Sequence, residues 1–190
     1  MRSIPAVAVD SLDRALMAFW RLGYEGCSIS DLVEATGLHR QSLYNAYGDK
    51  KGLFMAAAAR YRLMSGAALE PLRGKAAGLA ELRSYFENFL NVVRTNGCGA
   101  CLLVRTAFSV AIVDDEIRAL IEEAATEVRT GFVDVLENAV RKKELPAKTD
   151  VKAQAAYLFC VLHGLSALAQ TGASRKQVAE ALSQALDNLR

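Results

Sequence analysis

Residues 37–54, GLHRQSLYNAYGDKKGLF, gather hydrogen-bonding side chains in a chain that is otherwise apolar and rich in alanine. His39, Arg40, Gln41, Ser42, Tyr44 and Asn45 crowd together, and Lys50 follows. Each type suits one part of a DNA duplex. A guanidinium donates two bonds to the O6/N7 edge of guanine, and a carboxamide exchanges a donor and an acceptor with the N6/N7 edge of adenine. Arg40, Gln41 and Asn45 fit that use. Tyr44 offers a ring to sugar or thymine methyl and a hydroxyl to phosphate. The hydroxyls of Ser28, Ser30 and Ser42 suit phosphate oxygens. Lys50 opens the next helical segment, where its ammonium and the unbonded amides both attract phosphate.

Such a set works only on a helix with two faces. At roughly 100° per residue, Leu43, Ala46 and Tyr47 cluster on one side of residues 39–47. Gln41, Tyr44, Asn45 and Gly48 fall opposite, Arg40 flanks them, and His39 lies nearer the inner side at the helix start. A solvated helix face is the plain alternative. The preceding SISDLVEATG supplies a partner helix. Ser28 and Asp31 form a capping box, and Ile29, Leu32 and Val33 point inward. Gly37 ends this helix in a turn that needs positive φ. Upstream, residues 11–23 place Leu12, Ala15, Leu16, Phe19 and Trp20 on one stripe, with Asp10 or Ser11 as cap and GYEG as stop. Downstream, Gly48 and Asp49 break the chain before a helix over 50–65. Two short helices joined by a glycine turn are a helix-turn-helix.

SISDLVEATGLHRQSLYNAYGDKKGLF resembles the DNA-binding segment of the TetR family of bacterial transcription regulators. The resemblance is carried by Ser28, Asp31, Gly37, Leu43 with Tyr44, Tyr47 and Lys50, and extends over about residues 11–62. Val33 departs from the alanine that helix-turn-helix units often carry there. The resemblance implies that residues 39–47 are a recognition helix, and that the protein is a homodimer reading a palindromic double-stranded operator. It also implies release from DNA by a small-molecule effector. The expected fold is all-α, with a DNA-binding domain over 1–52, a connecting helix to about 66, and a helical ligand-binding and dimerisation domain over 67–190.

The larger part is helical by its own periodicity. SGAALEPLRGKAAG reads as a linker, with Gly66, Pro71, Gly74 and Gly78. Helices are expected over 79–95, 101–112, 114–143, 150–171 and 176–189. Acids open the third of these and Arg141, Lys142 and Lys143 close it, as the helix dipole prefers. Ser174 and Gln177 form a second capping box. The helix over 150–171 is apolar on more sides than one core contact needs, and carries small residues. By the resemblance, it and the last helix pair with those of a second copy; burial inside one subunit is the alternative.

Phe86, Phe89, Val93, Phe108, Phe132 and Phe159 either line an effector cavity or are plain core. Arg105, alone on an apolar helix, either holds an anionic ligand or pairs with an acid such as Glu127. His163 is either a ligand contact or a satisfied core or interface residue. Cys98 and Cys101 make a single CxxC, without the second ligand pair of a structural zinc site. GACLLV resembles a stretch in electrophile- and oxidant-responsive members of the family, which makes Cys101 a candidate sensor with Cys98 as its resolving partner; a buried inert thiol is the alternative.

Composition narrows the field. The chain has 190 residues, 52% hydrophobic, with only 3 prolines, enough for a substantial core. Net charge is +2, and the excess lies before residue 63, where 8 Lys/Arg meet 6 Asp/Glu. The first residues do not read as a signal peptide, and no uninterrupted apolar run is long enough for a membrane span. A cytosolic protein with reduced thiols is expected. Two histidines, no glycine-rich phosphate loop and no nucleophile–base set argue against an enzyme, and no cofactor or metal motif is present. A helical interaction protein that leaves its helix-turn-helix off DNA is the remaining alternative.

Overall fold

In the computed structural model the described residues are 6–95, 101–107 and 114–189, and every regular element among them is a helix. In chain order these are α1 (Ala6–Gly26), α2 (Ile29–Thr36), α3 (Arg40–Tyr47), α4 (Lys50–Arg73), α5 (Leu79–Thr95), α6 (Leu102–Ala107), α7 (Asp115–Arg141), α8 (Val151–Gln170) and α9 (Arg175–Asp187). They form two compact units. The first takes Met1–Met64 with Leu102–Ile121, the second Ser65–Cys101 with Glu122–Arg190.

The first unit is built around aromatic side chains. Phe19 and Phe54 are fully buried and meet edge to face at 5.2 Å; Tyr24 closes the group at 5.0 Å from Phe54. Trp20 meets Tyr61 the same way at 5.0 Å, which adds to the α1–α4 seam. Across it Arg60 donates to both carboxylate oxygens of Asp13, at 2.8 and 3.2 Å. α1 also packs on α2 and α6, and α2 on α3.

Several expected boundaries moved. α1 begins at Ala6, so Asp10 and Ser11 lie inside it rather than capping it. Asp10 instead pairs with Arg14 one turn on, and Ser11 is buried. GYEG kinks the helix rather than ending it: Gly23 takes φ 77°, and helix resumes to Gly26. α4 runs on to Arg73, through most of the stretch read as a linker. Pro71 is close enough to the end that its missing amide affects only the carbonyl of Ala67, while Leu69 and Leu72 are buried and hold the last turns. The expected helix over 101–112 is seen as α6 over its described part; residues 108–112 lie outside the described residues.

The second unit has a separate core of Phe86, Phe132, Leu136, Leu158, Leu162 and Leu182, among others, drawn from α5, α7, α8 and α9. Phe86 and Phe132 stack at 5.7 Å, with Tyr85 edge-on to both. Burial pushes the Tyr85 phenol far above its ordinary range. The turn before α5 is tied to the end of α7. Glu144 accepts from the Leu79 amide at 2.8 Å and pairs with Lys142, and Asn138 Nδ2 donates to the Gly74 carbonyl at 3.0 Å. α8 is capped by Asp150, and α9 by the expected box of Ser174 and Gln177.

The aromatic group predicts its own weak point. Phe54→Ala should cost about 3–5 kcal/mol, because Phe19 and Tyr24 lose a shared partner. Urea unfolding of the purified protein measures it; a loss under about 1 kcal/mol would mean the cluster is not what holds the unit.

Candidate nucleic-acid interface

α3 has only eight residues, too short to persist alone in water. Its neighbours fix it. Leu43 is buried at 3% exposure and Tyr47 is half-buried, while Ala46, expected on the inner side, is exposed. The turn before it is held by Thr36, whose buried hydroxyl donates to the Leu32 carbonyl and accepts from the Leu38 amide at 3.2 Å. Gly37 takes φ 69° as the left-handed cap of α2, which only glycine adopts without strain. After α3, Gly48 takes φ 82°, and the Asp49 carboxylate caps α4 by accepting from the Gly52 amide at 2.8 Å.

The opposite flank is open. His39, Arg40, Gln41, Ser42 and Asn45 are exposed, and Tyr44 is half-buried. His39 caps α3 by position but makes no side-chain cap bond. Gln41 Nε2 donates to Asn45 Oδ1 at 3.0 Å, one turn apart. That bond uses one N–H of Gln41 and leaves its carbonyl and second N–H together, the pair an adenine edge takes.

The phosphate candidates are placed less uniformly. Ser30 lies exposed on the first turn of α2. Ser28 is engaged in its capping box: its hydroxyl and amide donate to Asp31 at 2.6 and 2.7 Å, and its oxygen accepts from the Asp31 amide at 3.1 Å. Those bonds, with the Lys50 charge nearby, hold the Asp31 carboxyl below its ordinary range. Lys50 Nζ sits 4.6 Å above the Tyr24 ring. Cys27 behind it is buried, and its thiol is pushed up to about 11 by desolvation first and the Asp31 charge second. It is a packing residue, not a nucleophile. Sequence reasoning missed Thr36, and it missed Lys51, which bonds to carboxylates 63 and 65 positions away in the chain; only the doubled lysine hinted at it.

The effector candidates scatter. Phe86 and Phe132 are buried together, and Phe89 is half-buried against the same core. Val93 lies in α5, but its side chain is outside the described residues, as are Phe108 and Cys98. Cys101 is half-buried. Arg105 donates from Nη1 to the Trp20 carbonyl at 3.4 Å, beside Gly23. Phe159 meets His163 edge-on at 4.4 Å, and the Arg129 guanidinium stands over the Phe159 ring at 5.4 Å. Both ring nitrogens of His163 are buried with no hydrogen-bond partner among the described residues of the single chain, on the helix expected to meet a second copy. Desolvation lowers its pKa from 6.5. The imidazole is neutral when folded, and protonation favours the unfolded chain. Stability is therefore full above about pH 6.5 and falls as pH drops toward the depressed folded value. His163→Leu should flatten that acid limb by up to about one proton, read from urea midpoints between pH 7.5 and 5; an unchanged slope would contradict it.

The sequence profile described as "Bacterial regulatory proteins, tetR family" matches residues 12–57, and that of "Tetracyclin repressor-like, C-terminal domain" matches 78–185. The chain is 33% identical over 150 residues to the uncharacterized HTH-type transcriptional regulator YezE of Bacillus subtilis (strain 168), covering 77% of each. It is 28% identical over 171 residues to the HTH-type transcriptional repressor ComR of Escherichia coli (strain K12), covering 88% of this chain and 81% of that one. Among solved structures it superposes with TM-score 0.86 and 26% identity on a cysteine mutant of the TetR family transcriptional regulator CifR complexed with 26-bp double-strand operator DNA, over 100% of this chain and 99% of that one. With the helix-turn-helix geometry and both profile matches in hand, the chain belongs to the TetR family of bacterial regulatory proteins.

Proposed function

We propose that the protein is a ligand-responsive repressor that binds a palindromic operator as a homodimer and works in the cytoplasm, where the chromosome is, with recognition rather than catalysis as its chemistry. The observation that carries this is the open flank of α3, where Arg40, Gln41 and Asn45 stand exposed on a helix fixed from behind by Leu43. Arg40 and Gln41 read base edges, and Asn45 both supports Gln41 and offers its own amide. Ser30, Ser42, Tyr44 and Lys50 face phosphate and sugar, His39 stands at the leading end, and Ser28 shapes the first turn of α2. A domain of residues 1–52, continued by α4, binds DNA; residues 67–190 bind effector and partner. Cys101 and Arg105 stand with Phe86, Phe89, Val93, Phe108, Phe132, Phe159 and His163 as the effector-side candidates.

The homodimer rests on α8. Its stretch Val151–Ala169 has mean hydropathy 1.3, apolar and long enough to cross a membrane, yet only 28% of that window is buried within the protomer. Ala153, Ala156, Tyr157, Cys160, Gly164, Ala167 and Leu168 leave one small and apolar flank exposed. Such a flank in a helix-turn-helix protein is covered by its symmetry mate, which also places two α3 helices about 34 Å apart, one turn of duplex.

Selection of bound sequences from random duplex DNA tests the reading. Arg40→Ala and Gln41→Ala should each relax one base position per half-site, with about 1–3 kcal/mol lost on the selected duplex. Lys50→Ala should weaken all duplexes alike and lower the slope of log K against log salt by about 0.9 per half-site. A change confined to base preference would remove Lys50 from phosphate. Tyr157→Glu should shift the protein to monomer in sedimentation equilibrium and abolish operator binding; a dimer undisturbed by a charge at that site would move the interface elsewhere.

A further inference from the structure

Lys50 and Lys51 are neighbours with different partners. Lys50 rests on the Tyr24 ring, while Lys51 turns to the start of α7. Its Nζ lies 3.0 Å from Asp114 Oδ2 and 2.7 Å from Glu116 Oε2. The other oxygen of Asp114 accepts from the Glu116 and Ile117 amides, each at 3.1 Å. One carboxylate thus caps α7 and holds Lys51. Ile117, fully buried, anchors the same turn in the first unit's core. The two carboxylates raise the Lys51 ammonium well above its ordinary range, and bonds from the Ile117 amide and then Lys51 hold the Asp114 carboxyl below its own.

The next residue continues the connection. A Cβ on Gly52 would stand 2.0 Å from the Tyr47 carbonyl oxygen, the last residue of α3. The first turn of α4 and the end of α3 therefore meet backbone to backbone, with no side chain between them to absorb a shift. The Leu53 amide bonds the Asp49 carbonyl at 3.1 Å, and the Gly48 amide bonds the Tyr44 carbonyl at 2.8 Å. The Lys51 contacts and the Gly52 contact therefore sit on adjacent residues of one turn, next to the end of the helix that carries Arg40, Gln41 and Asn45. Asp114 and Glu116 stand at the first turn of α7, so the grip on Lys51 is fixed by how that turn is capped.

We propose that Lys51, gripped by Asp114 and Glu116, is a positioning residue for operator recognition: it ties the first turn of α7 to α3 through Gly52 and Tyr47, and touches no DNA itself. The proposal rests on the reading of α3 as the base-reading helix. It assigns opposite duties to two adjacent lysines. Lys50 answers phosphate, whereas the charge of Lys51 is met within the protein.

Four full-length proteins test it against wild type: Lys51→Met, Lys51→Arg, Asp114→Asn with Glu116→Gln, and the triple substitution. Asparagine at 114 keeps the helix cap while removing the charge. Each is titrated with the duplex selected by wild type and with an unrelated duplex over a range of salt, after circular dichroism and thermal unfolding establish that it is folded. The ratio of the two affinities cancels changes in overall charge. Lys51→Met and the Asp114/Glu116 pair should each lower that ratio roughly five- to tenfold, the triple substitution should lower it no further, and Lys51→Arg should retain it. The salt slope of Lys51→Met should match wild type. A slope reduced by about 0.9 per half-site, equal losses on both duplexes, or losses that multiply in the triple protein would each overturn the proposal. If wild type shows no salt-dependent affinity for any duplex, the DNA reading itself fails, which is a separate result. Should Lys51→Met not fold, the Asp114/Glu116 pair and Lys51→Arg still decide the matter.

Discussion

A helix of two turns cannot expose most of its polar side chains and also hold itself together. α3 does the first, so its shape has to come from elsewhere. Leu43 is its one fully sequestered side chain, and the remainder of its support lies at its ends: the Thr36 bonds and Gly37 turn before it, the Gly48 turn and Asp49 cap after it. Everything around α3 follows from that need. The Phe19–Tyr24–Phe54 cluster gives α1 and α4 a rigid seam, α2 packs on both α1 and α3, and α4 meets the end of α3 directly at Gly52. A binding helix supported at both ends keeps its side chains in one geometry before a ligand arrives, so less ordering entropy opposes binding.

The second unit solves a different problem. Its core accounts for one face of α8, with Ala155, Leu158, Leu162 and Leu165 buried. The opposite flank alternates small residues with Tyr157 and Leu168, and it stays exposed in a single chain. Alanine and glycine at one-turn spacing let two helix backbones approach closely. The membrane-like hydropathy of this helix and its modest burial are two views of one fact, a surface made for protein rather than for water.

What was legible in the sequence was local. Ser28 with Asp31 and Ser174 with Gln177 are boxes closed over three residues, and both formed with both bonds. Gly37 and Gly48 marked turns through a backbone requirement that no neighbour can alter. The polar flank of α3 followed from helical period alone. What failed depended on distant residues. Pro71 looked like a break because the sequence does not show that Leu69 and Leu72 will be buried beside it. Ala46 looked like an inner residue because period assigns a side but not how far the neighbouring helix extends. Thr36 hid among the polar residues, since only the folded turn turns its hydroxyl inward. For His163, the apolar helix revealed burial, but sequence does not say whether a group within the same chain hydrogen-bonds the ring, and none of the described residues does.

Charge shows the same limit more sharply. The basic excess before residue 63 is small, and several of its charges are answered inside the first unit. Arg14 pairs with Asp10, Arg60 with Asp13, and Lys51 with Asp114 and Glu116. These pairs are partly exposed and add little stability individually, but they cancel field. Arg40 on α3 and Lys50 at the start of α4 take no part in these pairs, and they stand beside neutral Gln41, Tyr44 and Asn45. If α3 reads DNA as proposed, a surface of that kind gains less from counterion release than its count of basic residues implies, and relies more on hydrogen bonds that demand a particular base edge. On the proposed reading, the position of α3 would carry more of the discrimination than the strength of the field. The backbone contact between Gly52 and Tyr47, which carries no charge at all, would then bear on which duplex is chosen, because it fixes where α3 ends.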